Sequence, residues 1–178
     1  MILCDADSEN KEMREYLFRD KNHVPVYGKA VFGIGLHRVG DKEKLDMIMQ
    51  NMEQYLVQDA ENESAYLKLP TEGWWWWYGD EVEANAYYLK LLSRTEPTKE
   101  RAPRLVKYLL NNRKHATYWK STRDTAVCVE AFSAFVRASG EQQPDMTVEL
   151  YVDGEKKKEV EINAGNLFTY DNKFVLKG

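Results

Sequence analysis

The feature that most constrains this chain is a helix start followed by apolar residues on nearly every side of the helix. After Trp119, the hydroxyls of Ser121 and Thr122 can accept hydrogen bonds from the first turn, and Asp124 lies where the helix dipole favours negative charge. The residues that follow are apolar around most of the circumference: Ala126, Val127, Val129, Ala131, Phe132, Ala134, Phe135 and Val136. This pattern predicts a helix over residues 121–138 that is surrounded by other parts of the protein.

Two upstream segments, residues 27–39 and 81–92, have the same character. Apolar residues are spread around the whole circumference in both, so each is predicted to be an enclosed helix. The first also contains Gly28, Gly33 and Gly35, whose missing side chains would let a neighbouring helix approach closely.

A helix with a single apolar face is predicted after each of these two segments. The first follows Gly40, which suits a helix end, and Asp41, which suits a helix cap; its stripe is Leu45, Ile48, Met49, Met52, Tyr55 and Leu56. The stripe of the second is Ala102, Leu105, Val106, Leu109 and Leu110. Pro103 fits that helix only if it lies in the first turn.

Enclosed and amphipathic helices therefore alternate, at an interval of roughly forty to fifty residues that an insertion at residues 59–78 lengthens. An inner ring of enclosed helices within an outer ring of half-exposed ones describes an α/α toroid of the terpenoid cyclase type, here as a partial ring. A helical solenoid would instead show two amphipathic helices per repeat at more uniform spacing. The expected fold class is mainly α, with helical hairpins in a partial toroid followed by a short antiparallel β segment.

The period of the pattern changes after Pro144, which divides the chain into a predicted helical domain, residues 1–143, and the start of a β-domain, residues 144–178. Apolar residues alternate on both sides of a tight turn at Asp153-Gly154, as in a hairpin: Val148, Leu150, Val152, Val160 and Ile162. Lys156, Lys157 and Lys158 are expected in a solvated turn. The aromatic and aliphatic residues near 168–176 predict a further strand.

The amino-terminal residues 8–21 are predicted to form an outer helix, with Ser8 as its cap and a stripe of Met13, Tyr16 and Leu17. The inner partner of this helix is missing from the pattern. A partial ring exposes apolar surface along its open edge, so self-association of the truncated toroid is expected.

Four segments resemble, in order, the inner-helix starts of bacterial alpha-2-macroglobulin-like proteins: residues 26–30 (VYGKA) and 35–41 (GLHRVGD), 81–87 (EVEANAY), and 119–126 (WKSTRDTA). The resemblance covers about residues 25–140 and implies the carboxy-terminal half of the thioester domain, an α/α toroid. It further implies a non-enzymatic, structural part of a larger endopeptidase inhibitor that traps proteases. The parent protein would be extracellular or periplasmic, and proteases would be its partners.

The thioester of that family joins a cysteine to a glutamine in a Cys-Gly-Glu-Gln motif. Neither Cys4 nor Cys128 is followed by Gly-Glu-Gln, so the motif itself is expected upstream of this chain. Ser139-Gly140-Glu141-Gln142 resembles this motif with serine in place of cysteine. A serine ester, however, would be far less activated toward amines than a thioester. We interpret Gly140 as the end of the last enclosed helix.

Trp74, Trp75, Trp76 and Trp77 support a second interpretation, in which an α/α-toroid protein binds or processes carbohydrate. Stacked indole rings bind sugars, and Asp80, Glu81 and Glu83 follow as a candidate acid/base set. Packing of the tryptophans and the preference of helix starts for acidic residues explain the same pattern without a ligand.

Net charge, hydropathy and the spacing of histidine and cysteine residues argue against nucleic-acid-binding, membrane-spanning and metal-binding proteins. The net charge of −4 supplies no basic footprint for nucleic acid, and no apolar run is long enough to span a bilayer. The three histidines show no metal-ligand spacing, and Asp124 with Cys128, one helical turn apart, is better explained as cap and core than as half of a zinc site. No cofactor, metal or catalytic set is therefore predicted.

Overall fold

The computed structural model describes residues 8, 10–70, 81–115, 117–140, 144–166 and 169, and these are mainly helical. They divide into two compact units, Met1–Ser139 and Gly140–Gly178. The six α-helices of the described residues all lie in the first unit: α1 (Lys11–Arg19), α2 (Val26–Val39), α3 (Lys42–Glu53), α4 (Glu81–Thr95), α5 (Arg101–Asn111) and α6 (Thr122–Ser139). It also contains a short 3₁₀ helix, Lys21–His23, and a hairpin of β1 (Leu56–Asp59) and β2 (Ser64–Leu67). The second unit contains the hairpin of β3 (Asp145–Val152) and β4 (Glu155–Asn163).

The helices of the first unit pack in an alternating order. Helix α4 contacts both α2 and α6, so that these three form a row, which we call the helix row. Helix α3 packs against α2, and α5 packs against α4. One hydrophobic core cluster extends from Val26 of α2 to Phe135 of α6 and includes the apolar stripes of α3 and α5.

Helix α4 is buried on nearly all sides, as predicted. Ten of its fifteen residues are buried, including the polar Glu83, Asn85, Lys90 and Ser93. Burying four polar side chains is tolerable only where they find partners, so the packing of α4 depends on hydrogen bonds as well as on apolar contacts.

Helix α2 approaches α4 closely at Gly33. A Cβ atom added at Gly33 would lie 2.8 Å from the Cδ2 atom of Leu91, and Leu91 is fully buried. The predicted use of glycine for close helix approach is therefore confirmed at this position. Gly28, by contrast, faces Val24 and Pro25 of its own chain segment.

The predicted helix boundaries are largely confirmed by their caps. Gly40 ends α2 with a φ of +75°, and the Asp41 carboxylate accepts a hydrogen bond from the N–H of Lys44 at 3.3 Å. The Ser121 hydroxyl accepts from the N–H of Asp124 at 3.1 Å, and Gly140, with a φ of +81°, follows the last residue of α6. Pro103 is the third residue of α5 and lies in its first turn, where no helical hydrogen bond is lost.

Helix α3 is shorter than predicted, because Tyr55 and Leu56 do not continue it. The helix ends at Glu53, and Leu56 begins β1, which pairs antiparallel with β2 so that Leu56 faces Leu67. The hairpin overlaps the first part of the predicted insertion at residues 59–78, and its strands of four residues are too short for a clear alternating pattern.

The β1–β2 hairpin is fixed to the helices by Asn85, which is fully buried on α4. The Asn85 side chain accepts a hydrogen bond from the N–H of Leu67 at 2.7 Å and donates to the carbonyl oxygen of Leu67 at 3.3 Å. It also donates to the carbonyl oxygen of Glu81 at 2.8 Å. The edge of β2 is thus paired with one side chain where a further strand would otherwise be needed.

The cap of the first helix was wrongly predicted. Helix α1 begins at Lys11, and its cap is Asn10, whose side chain accepts from the N–H of Met13 at 2.9 Å; Ser8 lies outside the helix. Asn10 fits the cap position because it lies immediately before the first helical residue. No residue of α1 is buried, and Met13 and Tyr16 are exposed.

The prediction that α6 is enclosed on every side is correct only for one side of the helix. Val127, Cys128, Ala131 and Phe135 are buried, but Val129 is 56% exposed. Of the elements that the structure describes, α4 makes the principal contact with α6, so the opposite face of α6 is left exposed.

The second unit is a two-stranded ribbon whose strands were predicted correctly on either side of Asp153-Gly154. Both turn residues have positive φ, +53° and +81°. Lys156, Lys157 and Lys158 lie in β4 rather than in the predicted turn, and Lys157 is the extra residue of a β-bulge. The strand predicted near residues 168–176 lies outside the described residues, except for Thr169.

We predict that Asn85→Ala destabilises the first unit strongly. The substitution leaves the buried N–H and carbonyl of Leu67 without their side-chain partner, and each such group costs about 1–3 kcal/mol. Urea unfolding should therefore show a loss of about 3 kcal/mol. Asn111→Ala, on the exposed side of α5, is the control and should change stability by less than about 0.5 kcal/mol. Equal losses in the two variants would contradict the anchoring role of Asn85.

Candidate functional site

The most strongly polar part of the helix row is a group of side chains between α4 and α6. It consists of Glu83, Tyr87 and Lys90 on α4 and Arg123 and Glu130 on α6, and we call it the polar seam. Tyr27 of α2 lies within electrostatic range of Arg123 and Tyr87. These residues come from the same three helices whose starts carry the family resemblance.

The ion pair between Glu83 and Arg123 joins the beginnings of α4 and α6. The Arg123 guanidinium donates to the Glu83 carboxylate at 2.6 Å. The Glu83 side chain is only 4% exposed, whereas the Arg123 side chain is 71% exposed. The hydrogen bond that Arg123 donates to Glu83 raises the pKa of Arg123 above its ordinary value.

A second ion pair lies two turns further along the same two helices. The ammonium of Lys90, a buried residue, donates to the Glu130 carboxylate at 2.7 Å. The same ammonium lies 5.3 Å from the centre of the Tyr87 ring, within cation–π range. Burial raises the pKa of Tyr87, and the nearby carboxylates of Glu83 and Glu130 raise it further.

The polar seam joins two helices. Each of its two carboxylates accepts a hydrogen bond from a cationic side chain on the neighbouring helix. The two pairs have opposite polarity: α4 supplies the acid, Glu83, in the first pair, and α6 supplies the acid, Glu130, in the second. This reciprocal arrangement fixes the register of the two helices.

Asp124 and Cys128 lie on the buried side of α6 and take no part in the polar seam. Asp124 is 3% exposed, and its Oδ2 atom accepts no hydrogen bond within the described part of the chain. His23, His37 and His115 are all exposed, and no three potential metal-ligand side chains come together among the described residues. Asp124 lies in the first turn of α6, a position that favours acidic side chains.

The residues of the carbohydrate interpretation are only partly within the described structure. Trp74, Trp75, Trp76, Trp77 and Asp80 lie outside the described residues. Glu81 is exposed at the start of α4, whereas Glu83 is buried in its pair with Arg123. The Glu83 carboxylate is therefore not accessible to a substrate that approaches from solvent.

Trp119 begins segment 119–126, the most specific part of the family resemblance, and its side chain joins two helices. Its indole N–H donates to the carbonyl oxygen of Leu109 at 2.8 Å, and its backbone N–H donates to the Thr125 hydroxyl at 3.1 Å. The ring packs against Phe132 at 5.7 Å between centroids. Trp119 thereby ties the end of α5 to the start of α6. Of the two possible thioester cysteines, Cys4 lies outside the described residues and Cys128 is buried.

A cleft that the sequence did not indicate lies between the β1–β2 hairpin, α4 and α5, with a volume of about 400 Å³. Tyr66 and Tyr108 stack in it with ring centroids 4.6 Å apart. The polar residues lining it are Asp59, Asn62, Ser64, Glu81, Asn111 and Asn112. Asn62 donates to both carboxylate oxygens of Asp59, and these hydrogen bonds lower the pKa of Asp59. The sequence signal was weak because the residues of the cleft come from three separate segments.

Comparison with known proteins gives no family for this chain: no family model matches it, and no curated protein matches it. Among the described residues, none of the helices has the length and apolar character needed to cross a membrane.

We predict that Arg123→Ala lowers the free energy of unfolding by about 1–3 kcal/mol, because the buried Glu83 carboxylate loses a charged hydrogen bond. Arg137→Ala is the matched control, since Arg137 is exposed on the same helix, and it should cost less than about 0.5 kcal/mol. In the double variant Glu83→Gln with Arg123→Ala, part of the loss should be recovered. Chemical denaturation of the four proteins would reject the role of the pair if the two arginine variants were equally stable.

Proposed function

We propose that this chain is a structural, non-enzymatic part of an alpha-2-macroglobulin-like endopeptidase inhibitor, namely the carboxy-terminal half of its thioester-type domain with the start of the following β-domain. In this proposal, α2, α4 and α6 belong to the inner ring of an α/α toroid, and α3 and α5 belong to its outer ring. The parent protein acts outside the cytoplasm, and its partners are the proteases that it traps.

The observation that carries the proposal is the alternating packing of the helices. Helices separated by one other helix along the chain are neighbours in the row α2–α4–α6, while the intervening α3 packs against α2 and α5 packs against α4. A toroid and a solenoid of helical hairpins share this order, and the burial of α4 on nearly all sides favours the toroid, because both helices of a solenoid repeat have an amphipathic character.

The chemistry of the described residues supports a structural role. Four residues of the resembling segments make hydrogen bonds that join one element to another: Glu83, Asn85, Trp119 and Arg123. In a protease trap, this part of the domain would keep the helices rigid around the thioester formed by the upstream motif.

The proposal can be tested on the full-length product of the gene that encodes this chain. At molar excess over trypsin or subtilisin, the intact protein should slow the cleavage of a large substrate such as labelled casein. Hydrolysis of a small chromogenic peptide should continue, because a trapped protease keeps its active site.

The 178-residue chain alone is the matched control, since it has no Cys-Gly-Glu-Gln motif, and it should change neither rate. A full-length protein that leaves both rates unchanged, or that blocks both substrates equally, would contradict protease trapping.

Carbohydrate binding is the second candidate, and the cleft beside Tyr66 and Tyr108 is the observation that favours it. Glu81, one of the carboxylates proposed for sugar chemistry, lines this cleft together with amide side chains that could bond sugar hydroxyls. Glycan-array binding by the full chain, lost in Tyr108→Ala or in Trp75→Ala with retained circular dichroism, would support this candidate. Absence of binding by the wild-type chain would eliminate it.

A further inference from the structure

The β3–β4 ribbon has an apolar face that its own strands do not cover. In the register of the hairpin, Met146 faces Ile162, Val148 faces Val160, and Leu150 faces Lys158. Met146, Val148 and Leu150 are 52%, 46% and 38% exposed. Within the described residues β3 pairs only with β4, and a two-stranded sheet is marginally stable unless further strands or a packed layer support it.

The two edges of the ribbon differ in how well they are protected against pairing with another strand. The β4 edge contains Lys156, Lys157 and Lys158 and a β-bulge at Lys157, and lysines and bulges are the features that block edge pairing. The β3 edge has neither a lysine nor a bulge. Between Met146 and Val152 it contains a single charged residue, Glu149.

The sequence of β3 is compatible with pairing to an antiparallel copy of itself. With Val148 on a two-fold axis, Met146 lies opposite Leu150 of the copy on the apolar face. On the other face, Thr147 lies opposite Glu149, and Asp145 lies opposite Tyr151. No like charges meet in this register. Moving the axis by one residue would place Glu149 opposite its own copy or opposite Asp145, so the two neighbouring registers are disfavoured.

Self-pairing of β4 is much less favourable. With Val160 on the axis, Glu159 would lie opposite Glu161 twice, and moving the axis to Lys158 or Glu159 would place either residue opposite its own copy. Like charges directly opposite each other destabilise a pair of strands. The charge pattern therefore favours self-pairing through the β3 edge over self-pairing through the β4 edge.

We propose that β3 is a homodimerisation strand, in which the chain pairs antiparallel with the β3 of a second copy across a two-fold axis at Val148. The result is a four-stranded sheet of order β4-β3-β3-β4, in which main-chain hydrogen bonds supply affinity and the apolar pairs supply register. This inference is independent of the proposed function. It concerns association of the 178-residue chain through its second unit, not through the exposed ends of the helix series.

Cysteine cross-linking of the full chain tests the register directly. In a Cys4→Ser background, Val148→Cys should form covalent dimers on oxidation or with a short bismaleimide, because the two side chains meet on the axis. Val160→Cys is the matched control on the same face of the same ribbon and should give at least about tenfold less dimer, since two strands separate the copies of this residue. Circular dichroism confirms that both variants are folded.

Sedimentation velocity over a range of concentrations supplies a second readout that needs no cross-linking. Val148→Lys places the ammonium groups of the two copies opposite each other at the axis. Because like charges repel, the dimer dissociation constant should rise about tenfold or more. Val160→Lys adds the same charge away from the axis and should change the constant by less than about threefold.

Three outcomes would overturn the proposal. Equal cross-linking at positions 148 and 160 would mean that the ribbons stack face to face. A dimer insensitive to both lysine variants would assign association to another surface, such as α1 or α6. A wild-type chain that stays monomeric up to millimolar concentration would show that the β3 edge does not self-pair. None of these outcomes bears on protease trapping.

Discussion

The burial of α4 between α2 and α6 is the constraint on which the rest of the first unit depends. A helix enclosed on nearly all sides needs partners for the polar side chains that it buries, and three of those on α4 find them on two other elements, β2 and α6. Asn85 bonds the main chain of β2, Glu83 accepts from Arg123 of α6, and Lys90 donates to Glu130 of α6. The same side chains that would be costly to bury therefore determine which elements can lie beside α4.

This use of polar partners explains why the architecture depends on few residues. Apolar burial alone would allow α2 and α6 to slide along α4, because hydrophobic contact is not directional. The two ion pairs with opposite polarity and the close approach of Gly33 to Leu91 all favour the observed register. Trp119 then positions α6 relative to α5 through the carbonyl oxygen of Leu109.

Periodicity and capping predicted the helices well, because both are local. Gly40, Asp41, Ser121 and Gly140 mark boundaries through their own conformation or hydrogen bonds, and the structure confirms them. The β1–β2 hairpin was missed because its strands have four residues each and depend on Asn85, eighteen positions after Leu67 in the chain. The ion-pair partners of Glu83 and Lys90 were not predicted either. Each pair joins residues forty positions apart in the chain, so no local sequence pattern indicates it.

Amide hydrogen–deuterium exchange, followed by mass spectrometry of peptides, most directly tests the claim that α4 is the centre of the first unit. In the intact chain, the amides of residues 84–93 should exchange more slowly than those of every other helix, since they open only when the unit unfolds as a whole. Those of α1, which buries no residue, should exchange first among the helices. If α4 exchanged as fast as α1 while α2 and α6 stayed protected, the account of a buried central helix would be wrong.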